Sequence, residues 1–162
     1  MMDQIKTILT GQYGGTLKML ENAIDACPDE VWLGAAGATP YWAGVLHTLF
    51  FTDLYLSGTL EGFAPPAPFG MTELDPTGKL PDQPLTKSEL KTYVDHCRKK
   101  AIATINALDD STIAETAEFP WLKENYLTLL FYNMRHIQHH VAQLNLILRQ
   151  RLDYHSPWVG VD

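Results

Sequence analysis

The segment from Thr39-Pro40 to Ser57-Gly58 constrains the fold more than any other, because its apolar residues fall on nearly every side of a helix. Thr39 offers an N-cap residue, Pro40 a proline at the first helical position, and Gly58 a stop. Such a helix has to be surrounded by protein, in the middle of a bundle or at a subunit contact. Trp42, Val45, Leu49, Leu54 and Leu56 exceed what one core-facing stripe can bury, which predicts a homodimer built on this helix.

Three more apolar-periodic stretches read as helices. The first runs from about Asp3 to Asp25, with Leu9, Leu17, Leu20 and Ile24 at helical spacing, and stops before Cys27-Pro28 because a residue preceding proline avoids the helical region. Gly11, Gly14 and Gly15 weaken its first half and mark a kink or a close helix contact. The third opens on the capping box Thr86-Lys87-Ser88-Glu89 and carries Leu90, Tyr93, Val94, Cys97, Ala101, Ile105 and Leu108 on one face. The fourth is predicted from near Pro120 to about Leu152, followed by a tail from Tyr154 to Asp162. Between the second and third helices, Gly58 to Leu85 holds six prolines and four glycines, and Phe63 and Phe69 predict that this long loop packs on the helices or joins a dimer contact. No stretch shows the alternation of a strand. The expected fold is all-α, a four-helix bundle with one long crossover loop, forming a single domain over residues 1–162.

Composition narrows the partners. A formal net charge of -7, with no basic run longer than Arg98-Lys99-Lys100, argues against nucleic acid. The longest apolar stretch, Trp42 to Leu56, is interrupted by His47 and Asp53 and is too short to span a bilayer, so no membrane is expected. The first residues lack the pattern of a secretory signal, and Cys27 and Cys97 have no CxxC partner; both observations predict a cytoplasmic protein with reduced, buried thiols.

Chemistry is concentrated in the histidines. His136 and His140 lie about 40° apart on the last helix, while His139 falls about 60–100° further round and is predicted to face solvent. His-x-x-x-His on one helix lets two imidazoles share a metal ion. The zinc-protease version carries Glu after the first His; Ile137 stands there, so the general base of that chemistry is missing. His47 lies on an apolar face with Ala43, Phe50, Phe51 and Leu54, and a bundle core can bring it to the pair as a three-nitrogen face on a divalent ion. The other reading is a core histidine bonded to a carbonyl, with the run at 136–140 a polar edge. Gln143 and Asn133 are placed either to orient an imidazole or to bond between helices. His96, sharing a face with Thr92 and Lys100, and His155 in the tail are predicted to be solvated. Asp53, about 120° from His47, is badly placed as a general base, and no carboxylate is aimed at the site.

Leu46-His47-Thr48-Leu49, preceded by Thr39-Pro40-Tyr41-Trp42, together with Met134 to Leu144, resembles the DinB-like (DNA-damage-inducible, YfiT-like) metalloenzyme superfamily over nearly the whole chain. The resemblance implies an up-down-down-up four-helix bundle that holds a metal through His47, His136 and His140. Members commonly carry Arg-Gly-Gln after the His pair; Val141-Ala142-Gln143 keeps only the glutamine. Relatives are commonly dimers, and include transferases that use a low-molecular-weight thiol such as bacillithiol or mycothiol, and thiol-dependent isomerases or hydrolases. The resemblance therefore implies a metal-dependent S-transferase or hydrolase acting on a small-molecule electrophile in stress response. Zinc and nickel suit three imidazoles best, with iron and manganese also compatible. A non-catalytic metal-binding or dimerising bundle is the competing reading.

Overall fold

The computed structural model describes residues 1–34 and 39–162. The described residues are mostly helical, in α1 (Met2–Ala26), α2 (Asp29–Leu33), α3 (Tyr41–Ser57), α4 (Lys87–Ala107) and α5 (Tyr126–Leu152). An antiparallel hairpin, β1 (Thr116–Phe119) and β2 (Leu122–Asn125), precedes α5. Among the four long helices, α1 packs on α4 and α5, and α3 packs on the same two.

Local chemistry sets the helix ends. Cys27 turns extended ahead of Pro28 and ends α1. The Thr86 side chain accepts from the Glu89 amide while the Glu89 carboxylate accepts from the Thr86 amide, the expected capping box of α4. Gly58 takes the left-handed conformation, φ 74°, and its N–H donates to Tyr55 O, closing α3.

Three expectations about boundaries need correction. Pro40, not Thr39, occupies the N-cap of α3, which begins at Tyr41, and the cap has no side-chain hydrogen bond. The five-residue helix α2 lies where none was expected. The last helix begins at Tyr126 rather than near Pro120, capped by the Asn125 side chain, which accepts from the Thr128 amide. Pro120 and Trp121 instead form the turn of the hairpin, whose register pairs Phe119 with Leu122 and Thr116 with Asn125. β1 does alternate, with Ala117 and Phe119 buried and Glu118 out, but four residues are too few for the alternation to stand out against a neighbouring helical pattern.

The apolar surplus of α3 is absorbed by the chain itself. Trp42, Val45, Leu49, Leu54 and Leu56 are all buried without a second copy, so they give no argument for a dimer. Two clusters do this. One fills the space among α1, α3, α4 and α5 and includes Phe69 of the long loop, stacked on Tyr93 with centroids 4.4 Å apart. The other packs Phe50, Leu54 and Tyr55 against Ala117 and Phe119 of the hairpin and Leu129 of α5. Both cysteines are buried and free, as expected.

The α1 glycines meet the C-terminal tail rather than another helix. A Cβ on Gly14 would lie 2.6 Å from Asp162 O, and one on Gly15 3.2 Å from Gly160 O, so the tail backbone passes where only glycine leaves room.

On the far side of α3, Asp53 is fully buried and meets three donors of α4: the Tyr93 hydroxyl at 3.1 Å, His96 Nε2 at 3.2 Å and Lys100 Nζ. His96 is therefore not a simple solvated residue; its face of α4 is turned partly toward a buried carboxylate. A charge taken out of water requires such partners, and removing the carboxylate leaves them uncompensated. Asp53→Ala is expected to lose on the order of 3 kcal/mol of stability in urea unfolding, moderated because His96 and Lys100 keep some contact with water. Unchanged stability would show that the cluster contributes nothing net.

Candidate metal centre

α5 presents His136 and His140 one turn apart, and α3 presents His47 opposite them. Ring centroids are 4.5 Å apart for His136 and His140, 4.6 Å for His47 and His140, and 5.5 Å for His47 and His136. One ring nitrogen from each lies within 4.8 Å of the other two. A divalent ion with bonds of about 2.1 Å can join such nitrogens after small side-chain rotations.

The two rings of α5 are held in the protonation state that coordination needs. Burial, reinforced by the neighbouring His140 and His47, pushes His136 down to about 3. Burial also lowers His140, with His47 adding to the effect. Neutral imidazoles offer lone pairs, and the buried Nδ1 of His136 has no hydrogen-bond partner among the described residues. The donor set thus fits a divalent metal ion.

Two of the rings are held from behind. His140 Nδ1 lies 2.9 Å from Gln143 Oε1, and His47 Nδ1 lies 2.9 Å from Glu73 Oε2. An oxygen acceptor at Nδ1 assigns the proton there and leaves Nε2 with the lone pair. Of the two readings left open for Gln143 and Asn133, Gln143 orients an imidazole, whereas Asn133 Nδ2 donates to Thr52 O at 3.0 Å and ties α5 to α3.

Glu73 overturns the expectation that no carboxylate reaches the site. It belongs to a short 3-10 turn, Thr72–Leu74, within the long loop. Nothing periodic marks it; the prolines that stiffen the loop around it are the only hint in the sequence. His47 is correspondingly less enclosed than its apolar helical face implies, its side chain being 38% exposed. His139 is exposed, as expected, but touches the site's edge: its Nε2 is 3.1 Å from Gln143 Nε2 and its ring 5.1 Å from that of His140. His155 is exposed in the tail.

A cleft of about 470 Å³ opens beside the cluster. His47 and His136 line it with Phe51, Tyr55, Trp121 and Tyr132, and the loop adds Glu73 to Pro76. The long loop thus packs on the helices, as expected, and forms a wall of this cleft. Burial pushes Tyr55 up to about 12, so its hydroxyl stays protonated, and it accepts from Trp121 Nε1 at 3.1 Å. Neither cysteine offers a ready thiolate, since burial pushes Cys27 up to about 11 and Cys97 well above the ordinary thiol range.

Residues 12–144 match the family model of the DinB superfamily. Among solved structures, the chain is similar to a DinB-like protein of Bacillus subtilis, with 16% sequence identity, a TM-score of 0.58, and coverage of 95% of this chain and 96% of that one. No curated protein matches the chain. No helix among the described residues is long and apolar enough to cross a membrane.

The neutral state of His136 has a consequence for stability. Its pKa is lower in the folded than in the unfolded chain, where it lies near 6.5, so the unfolded state takes up the proton first as pH falls. The metal-free chain is expected to lose stability between about pH 6.5 and pH 3 from this group. Urea unfolding at pH 7 and pH 5 should show a smaller pH effect in His136→Gln than in the parent chain; equal effects would contradict this origin.

Proposed function

The chain belongs to the DinB superfamily, and we propose that it is a metal-dependent enzyme whose ion is held by His47, His136 and His140. The observation that carries this reading is the convergence of three imidazole nitrogens, two of them on rings that line an open cleft. Three neutral ligands leave the full charge of a zinc or nickel ion uncompensated, and such an ion lowers the pKa of a bound water or thiol. The chain's own residues supply the rest. Glu73 holds the His47 Nδ1 proton and fixes that ring, Gln143 does the same for His140, and the aromatic wall offers an apolar surface beside the cluster. In this reading the four long helices form an up-down-down-up bundle of one domain. The contacts of α1 and α3 with both α4 and α5 support that arrangement. The reaction is transfer of a low-molecular-weight thiol to a small electrophile, or hydrolysis of such a molecule.

Metal analysis of protein purified from metal-supplemented cells tests the ligand set. His47→Ala, His136→Ala and His140→Ala should each lose most of the metal, whereas His139→Ala should keep it. Release by His139→Ala with retention by His140→Ala would refute the assignment. Glu73→Gln, which leaves an amide against His47 Nδ1, should weaken metal affinity by about 10-fold to 100-fold. Loaded protein assayed with thiols and electrophiles, and with electrophiles alone, separates transfer from hydrolysis. A loaded protein inert in both would favour the non-catalytic metal-binding bundle.

A further inference from the structure

We propose that the cleft beside the three histidines takes a small aromatic molecule carrying a cationic group, such as an arylalkyl amine. The inference rests on reading this cleft as the substrate site, and its argument uses the walls rather than the ion.

The walls are aromatic and partly unburied. Trp121 is 47% exposed and Tyr132 37% exposed, both on the lining of the cleft. Trp121 is nevertheless held in place. Its Nε1 donates to the Tyr55 hydroxyl, its ring stacks on Phe119 at 5.7 Å and 23°, and it meets Phe51 edge-on at 6.2 Å. A large ring fixed at the mouth of a cleft, with a free surface left in water, is a preformed stacking platform. Phe51 and Tyr55, both more enclosed, continue that surface, so a flat apolar body is the shape that recovers the most buried area.

The charges on the lining have one sign. Among the described residues, Glu73 and Asp75 line the cleft, and no lysine or arginine does. Glu73 is paired with His47, but Asp75 is less committed. The Thr77 amide and hydroxyl both donate to the same oxygen, Oδ1, at 2.8 and 2.7 Å. Those bonds hold the Asp75 carboxyl below its usual range and keep it charged. Aromatic faces attract cations through their quadrupoles, and a carboxylate beside them adds to the same preference. In the metal-free cleft an anionic aromatic molecule meets both effects as repulsion. The space, about 470 Å³, lies within the range of ordinary small-molecule sites.

The test uses three near-isosteric probes, 2-phenylethylamine, 2-phenylethanol and 3-phenylpropanoate, titrated calorimetrically into the chelator-treated chain and the zinc-loaded chain. In the chelator-treated chain the amine is expected to bind about tenfold tighter than the propanoate, with the alcohol between. Asp75→Asn, which keeps the acceptor for Thr77, should shrink that ratio to within about threefold. Trp121→Ala should weaken the amine and the alcohol alike, by about tenfold. The propanoate binding as tightly as the amine to the chelator-treated chain, or an unchanged ratio in Asp75→Asn, would overturn the inference. His140 does not line this cleft, so His140→Ala separates the two readings. An amine preference that survives in His140→Ala supports the inference even where metal is absent. Loss of that preference in the chelator-treated parent chain, when the same protein takes up zinc on reloading, overturns the inference and leaves the three-histidine reading standing.

Discussion

A helix enclosed on nearly every side must have each of its polar groups met by something, and α3 is that helix. Thr48 and Thr52 solve the problem locally, donating to the carbonyls of Gly44 and Thr48 one turn back. Asp53 is met by Tyr93, His96 and Lys100 of α4, and the Thr52 carbonyl by Asn133 of α5. His47 is met by Glu73, which neither α4 nor α5 supplies. His47 and Asp53 of α3 thus receive opposite treatment. Asp53 is sealed inside a network that locks α3 to α4, whereas His47 is left at the edge of a cleft with one nitrogen spoken for and the other free to act.

That division bears on how the centre is built. The histidines come from regular helices whose backbones are fixed by the packing of α3 on α5, which gives them the rigidity that a shared ion requires. The groups that tune and cover them come from irregular segments: Glu73 and Asp75 from the long loop, Trp121 from the hairpin turn. The cluster is placed where the core enforces position, and its surroundings where the chain is freest to vary.

Much of this was legible in the sequence because helical phase is a short-range property. The spacing of His136 and His140, the outward direction of His139, the capping box at Thr86 and the stop at Gly58 each depend on residues within about a turn or two. The groups that could not be read all depend on contacts across long separations. Glu73 reaches His47 from 26 residues away through a loop with no period, and His96 and Lys100 reach Asp53 from more than 40 away. The hairpin at 116–125 was missed for a different reason: its strands are too short for their alternation to outweigh the apolar pattern leading into α5. The surplus of apolar residues on α3 was read correctly as a demand for enclosure. What the sequence could not say was that Phe69 of the loop and Phe119 of the hairpin, rather than a second copy, help to meet it.

The placement of Glu73 and Asp75 on a proline-rich loop also bears on how such a protein can diversify. Insertions, deletions and exchanges in surface loops cost little stability compared with changes in a packed core. A lineage can therefore rewrite one wall of the cleft, its charge and the partner of His47 while leaving the ligand-bearing helices untouched. In this architecture the three-histidine cluster is inherited with the core, and the lining of the cleft can be varied largely through a single connecting segment.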